Sequence, residues 1–272
     1  MMSDRTLRWV YIGAAVFLAI LLALHVAAAA ESSLMFHPTP DVTPHVRLEG
    51  EVMLETVYAA FLPGTGEGVC VVAHGNAGNI VVDVRAYAAL RRRFAVVVAF
   101  DYRGYGRSTF VLCPSILPSP RISQGSVVDD CVLVLRETMR RYPGEALTTV
   151  GFSLGGGVLC QALLHLTQQE RRGLGHIYLV GTFSSAAEVA SKMFTPLVAP
   201  FMTSPFRSTD ALSSLRREDG RSLNGTVAYA EFEEIIPDAE AMALKLAAAA
   251  GGWKVVQVPG ATHNTLTTAN LS

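Results

Sequence analysis

A chain of 272 residues that is 50% apolar and 17% charged has enough apolar material for a packed domain, and too much for a disordered one. Lysine and arginine number 22 against 23 acidic residues, so a net charge near -1 leaves no basic excess to neutralise nucleic-acid phosphates.

In chain order, the first feature is residues 10–30, which contain no charged side chain and one histidine, His25. This is about the ~20 residues that a bilayer-spanning helix needs. It also lacks the polar stripe of a helix lying on a soluble core. Arg5 and Arg8 precede the segment and no further Lys or Arg follows until Arg47. The positive-inside rule then predicts a cytosolic stub with a signal-anchor over residues 1–31, and a domain of residues 32–272 on the lumenal or extracellular side. Cleavage at the small residues Ala27 to Ala30 would instead give a secreted domain. An oxidising compartment would let cysteines pair. Cys70 and Cys160 read as core thiols, which leaves Cys113 and Cys131 free to bond.

From residue 32 to about 64 the chain is punctuated by prolines and then alternates, as at Val46, Leu48, Val52 and Leu54, the pattern of an antiparallel edge pair. Continuous apolar runs follow at 68–73, 94–100, 147–151, 176–181, 226–230 and 253–258, the pattern of parallel strands covered on both faces. Helix-length segments at 81–92, 126–142, 154–169 and 238–250 separate them. The alternation predicts an α/β sheet with helices on both faces. Residues 185–223 break it and include the apolar stretch 194–202, which we read as a small cap.

Three motifs sit at strand ends. His74-Gly75-Asn76-Ala77-Gly78-Asn79 follows the run ending at Ala73, and Asp101-Tyr102-Arg103-Gly104-Tyr105-Gly106-Arg107-Ser108 follows Phe100. Gly151-Phe152-Ser153-Leu154-Gly155-Gly156 lies between a strand pattern and a helix pattern, and fits the G-x-S-x-G elbow that presents a serine on a cramped turn. A phosphate-binding loop is a poorer reading of the first motif, because the Lys-Ser/Thr ending is missing.

In this order and at these separations, the three motifs resemble the α/β-hydrolase superfamily, and most of all its membrane-anchored bud-emergence-type subfamily, related to serine-aminopeptidase-like and lysophospholipase-like hydrolases. The resemblance implies a mostly parallel eight-stranded sheet with a small cap, preceded here by the transmembrane helix. It makes the 101–108 loop structural. His74, read from its place just past a strand, has a structural role under the sheet edge rather than a catalytic one. Ser153 is then the nucleophile, and the backbone amides of Asn76 and Leu154 hold the oxyanion.

The base in such relatives follows the last strand, which selects His263; His165 and His176 fall in a helix and at a strand start. Relatives place an aspartate shortly before a hydrophobic pair and a proline. The corresponding segment here, Ala230-Glu231-Phe232-Glu233-Glu234-Ile235-Ile236-Pro237, offers Glu233 as the acid, with Glu234 the nearest rival and Glu188 a remote one. Together these residues imply acyl transfer to water through a covalent acyl-enzyme, with no cofactor or metal. An acyl ester, thioester or amide fits, with a lipid or lipid-modified substrate favoured by the adjoining bilayer. Peptidase, acyltransferase and non-catalytic scaffold remain the alternatives.

Overall fold

The computed structural model describes residues 9, 11–19, 31–32, 35–39, 41, 43, 45–108, 122–193, 202–215 and 223–266. Among these residues, eight strands form a mixed sheet: β1 (Glu51–Leu54), β2 (Val57–Pro63), β3 (Val69–Ala73), β4 (Val96–Phe100), β5 (Leu147–Phe152), β6 (Leu174–Val180), β7 (Gly225–Phe232) and β8 (Lys254–Thr262). Their spatial order is β1-β2-β4-β3-β5-β6-β7-β8. Only β2 runs against its neighbours, and all pairings from β4 to β8 are parallel. The antiparallel edge pair, β1 with β2, spans 51–63, inside the stretch 32–64 where it is expected. Sequence alternation located only the outer strand, because β2 is flanked on both sides and buried along most of its length.

Both faces of the sheet are covered. Val69, Val71 and Ala73 of β3 join one buried cluster, while Cys70 and Val72 join the other. This two-sided burial is why these strands read as unbroken apolar runs. Leu135 and Leu159 sit fully buried in the first cluster, where truncation to alanine costs about 3 kcal/mol each.

The helices follow their capping residues. Residues predicted as one helix over 81–92 form α1 (Ile80–Asp83) and α2 (Ala88–Arg93), separated by a turn in which Ala86 N–H bonds to Asp83 O and Tyr87 N–H to Val84 O. Asn79 caps α1 by accepting the Val81 and Val82 amides. Next comes α3 (Gln124–Arg141), started by a Ser123/Ser126 capping box. The segment predicted over 154–169 divides into α4 (Leu154–Leu164) and α5 (Gln168–Arg172), because Thr167 and Glu170 form a new capping box. Two further helices, α6 (Ala186–Met193) and α7 (Ser208–Ser214), fall in the region read as a cap, whose apolar stretch lies outside the described residues except for Met202. The last helix, α8 (Asp238–Ala250), spans the predicted residues.

Residues 11–19 are helical and exposed on every side, Tyr11, Phe17 and Leu18 among them. Residue 10 and residues 20–30 of the expected anchor lie outside the described residues. Among the described residues, no helix is long and apolar enough to cross a membrane. Cys131 departs from expectation: it is a free thiol on the core face of α3, fully buried beside Val128 and Leu135, and burial raises its pKa. It is a core residue of α3 and not part of the preceding loop. Cys113 lies outside the described residues.

Candidate active site

The sheet order brings the sequence motifs together. Chain connections leave β3 toward β4 on one side, while β5 lies on the other, so the loops after β3 and β5 diverge at a switch point, where α/β sheets place their ligands. Ala73 and Gly151 are register partners, so both loops leave the sheet at the same level. A Cβ added to Gly75 would lie 3.7 Å from Ser153 Cβ, which puts the 74–79 loop directly beside the serine.

Ser153 occupies the turn between β5 and α4 with φ 51° and ψ -115°, a strained conformation for a residue with a side chain. Its flanking residues must be glycine because backbone crowds them. A Cβ on Gly155 would fall 2.1 Å from Ala73 O and 2.5 Å from His74 O, and one on Gly151 would fall 2.6 Å from Gly155 O. The turn is held by Ser153 N–H donating to Val180 O (2.9 Å) and by Thr182 Oγ1 donating to Ser153 O (2.7 Å). The serine hydroxyl does not cap α4. Among the described residues, the Leu154 and Asn76 amides have no hydrogen-bond acceptor either.

At the other end of the site, Phe232 of β7 and Thr262 of β8 are register partners. The next residue on each strand is Glu233 and His263, so the sheet itself sets them side by side. His263 is 3% exposed; its Nε2 lies 3.1 Å from Ser153 Oγ and its Nδ1 lies 2.8 Å from Glu233 Oε1. The Phe152 ring packs against the imidazole at 5.5 Å between centroids. Burial alone would push the Glu233 carboxyl up. The His263 N–H and the Ile236 and Ile235 amides, both 3.0 Å from Oε1, outweigh it and hold the carboxyl below the usual glutamate range.

The rivals stand elsewhere. Glu234 Oε2 accepts the His263 main-chain N–H (2.9 Å) rather than the imidazole, and Glu188 is an exposed residue of α6. His165 caps the end of α4 at the surface, while His176 Nε2 meets Thr226 Oγ1 (2.8 Å) near the opposite end of the sheet. Glu231 Oε2 accepts the Gly260 N–H (2.7 Å), so all three glutamates of the β7 terminus clasp the loop that carries His263. Sequence reasoning missed these backbone clasps. Their only trace is the density of acids in 231–234.

The 101–108 loop serves as a brace. Asp101, fully buried, accepts the Ile80 (2.8 Å) and Arg107 (3.0 Å) amides, and Tyr102 Oη donates to His74 O (2.8 Å). His74 is buried against the Tyr102 ring, 4.4 Å between centroids, and burial lowers its pKa despite the nearby Asp101 carboxylate.

A family model described as the alpha/beta hydrolase fold matches residues 69–200. An uncharacterized Escherichia coli protein, YfhR, is 33% identical over 124 residues, covering 44% of this chain and 39% of that protein. The chain thus spans about two fifths of the curated relatives it matches. Among solved structures, an α/β hydrolase from Vibrio vulnificus superposes with a TM-score of 0.61 at 14% identity, over 81% of this chain and 75% of that one. An esterase from Pyrococcus furiosus gives 0.57 at 12% identity over 81% and 84%. An α/β serine hydrolase described as lacking a lid, from Xanthomonas campestris, gives 0.51 at 16% over 81% and 88%. Motifs, strand order and these likenesses agree that the chain has the α/β-hydrolase fold, and its residues 69–200 are similar to the family of that description.

Proposed function

We propose that this chain is a serine hydrolase that transfers an acyl group to water, with carboxylic esters as the substrate class. Ser153 attacks the carbonyl carbon while His263 Nε2 takes the hydroxyl proton, and Glu233 holds the Nδ1–H and offsets the charge that forms on the ring. The amides of Asn76 and Leu154 receive the oxyanion, each contributing on the order of 3 kcal/mol to the barrier reduction. His263 then passes its proton to the leaving group and activates water against the acyl-enzyme. The observation that carries this reading is the unbroken relay from Glu233 through His263 to Ser153, at 2.8 Å and 3.1 Å. The fold relatives described as an esterase and a serine hydrolase point the same way.

A scaffold without turnover has no use for a strained serine aligned on a buried imidazole, and relay and strain both survive here. A fluorophosphonate probe should label the wild type and leave Ser153→Ala unlabelled; a folded wild type that resists the probe ends the enzyme reading. Supplying alcohol or amine acceptors during ester turnover separates hydrolysis from acyl transfer, and peptide substrates test the peptidase alternative.

We further propose that the domain is tethered to a bilayer by the N-terminal segment, on its lumenal or extracellular side, which would put lipid-like esters within reach. Support comes from the apolar helix of residues 11–19, which presents apolar surface on all sides and packs on none of the core. Alkaline carbonate extraction of membranes checks this: a tethered protein stays in the pellet.

A further inference from the structure

The segment between the exposed helix and β1 is stitched to the loop beside the serine. The Asn76 side chain makes three hydrogen bonds there. Its Oδ1 accepts the His37 main-chain N–H (3.0 Å) and the Tyr105 hydroxyl (2.9 Å), and its Nδ2 donates to Met35 O (2.8 Å). Two residues along, Thr39 Oγ1 accepts the Gly78 N–H (2.9 Å) and Thr39 O accepts the Gly106 N–H (3.0 Å). Phe36, 2% exposed, sets its ring edge-on to buried Phe206 at 6.2 Å. Upstream, the Glu31 carboxylate accepts the Thr203 N–H (2.8 Å), the Thr203 hydroxyl (2.7 Å) and the Ser204 N–H (2.6 Å).

The bonds to Asn76 and Gly78 act on the stretch between the points where Tyr102 holds His74 O and Asp101 holds the Ile80 amide. The 74–79 loop carries Gly75 and Gly78 on either side of Asn76, and Gly78 has φ 116°, so the loop's own backbone offers little resistance to rotation. Three hydrogen bonds to one side chain, two of them from residues 35 and 37, supply that resistance instead.

We propose that residues 35–39 form a strap that positions the Asn76 amide for the oxyanion, making the N-terminal linker a working part of the site. This rests on the reading of Asn76 as an oxyanion donor. The strap touches no substrate; it acts through the direction in which the 75–76 peptide points. It also explains the residue type at 76, since aspartate could not donate to Met35 O and alanine could make none of the three bonds. A donor displaced by a fraction of an ångström loses its preference for the transition state while substrate binding is spared.

His37→Pro removes the N–H that holds Asn76, whereas His37→Ala keeps it. In the full chain, with a p-nitrophenyl ester as substrate, His37→Ala should turn over within about twofold of wild type, and His37→Pro should lose about tenfold or more in kcat with KM and Tm little changed. Thr39→Val, which removes the acceptor for Gly78, should lower kcat about threefold and serves as the deciding variant if His37→Pro folds poorly. Equal kcat for His37→Pro and His37→Ala, or an unaltered Thr39→Val, overturns the strap. A wild type that a fluorophosphonate does not label overturns the underlying hydrolase reading instead, so the two failures are distinguishable.

Discussion

Replacing Glu233 with glutamine keeps the shape of the relay and removes its charge. The carboxylate sits 2.8 Å from Nδ1 with its side chain 8% exposed, so little water screens the pair. At an effective dielectric constant of about 20, a unit negative charge at that distance stabilises an imidazolium by about 6 kcal/mol. The imidazolium exists only after Ser153 has given up its proton, so this attraction belongs to the transition state rather than to bound substrate. A glutamine amide can also present N–H to Nδ1 and turn Nε2 into a donor, the wrong tautomer for accepting a proton from Ser153. The expected outcome for Glu233→Gln is a fall of about 10⁴ in kcat with KM nearly constant, as 6 kcal/mol implies. The assay is steady-state hydrolysis of a p-nitrophenyl ester, with Glu234→Gln and Glu188→Gln as controls. Glutamine at 234 still offers an oxygen to the His263 main-chain N–H, so that control should stay within about tenfold of wild type. Retention of more than a tenth of the activity by Glu233→Gln, or a larger loss in Glu188→Gln, would refute the assignment of the acid.

Other consequences concern stability. Gly155→Ala would drive a methyl group to 2.1 Å from the Ala73 carbonyl oxygen, and backbone rather than a side chain must yield; a loss of about 3 kcal/mol or more by denaturant unfolding is expected, with no measurable turnover. Asp83 is pushed up to about 6 by burial and by the neighbouring Asp101 carboxylate. Because its folded value lies above the unfolded one, its favourable contribution is present at low pH and lost as pH rises through about 6. Asp83→Asn should therefore stabilise the protein at pH 7.5 by about 1 kcal/mol, after allowing for solvent screening of a partly exposed group. That is about 2–4 °C in Tm, and most of the gain should vanish only near pH 3.5, below the ordinary aspartate value. An equal shift at both pH values would contradict the burial argument.

Much of this site was legible before any coordinates. Runs such as Val69 to Ala73 and Val96 to Phe100 announce strands covered on both faces, and Gly151 to Gly155 announces a turn that admits no side chain at either end. The acid and the base were named from the resemblance, which places them after the last two strands; the structure sets Glu233 just past β7 and His263 just past β8. What stayed hidden is contact between segments distant in sequence that is made through main chain. Met35, His37 and Thr39 reach Asn76 and Gly78 across about 40 residues, using main-chain groups or a hydroxyl whose partners leave no pattern in the sequence. Glu231 and Glu234 likewise bond to amides. Cys131 was read as free to pair although it lies within the helix predicted over 126–142; which face of that helix meets the sheet, and so buries the thiol, is set by packing that the sequence does not display.

Ser153 as an acyl acceptor is the claim on which the rest depends. Incubating the protein with an activated ester, quenching in acid within milliseconds to seconds and mapping peptides by mass spectrometry tests it directly. The acyl mass is expected on the peptide containing Ser153 and nowhere else, accumulating in Glu233→Gln if deacylation slows more than acylation. Ester turnover by the wild type with no adduct at Ser153 in any variant, or with the adduct on another residue, would contradict it.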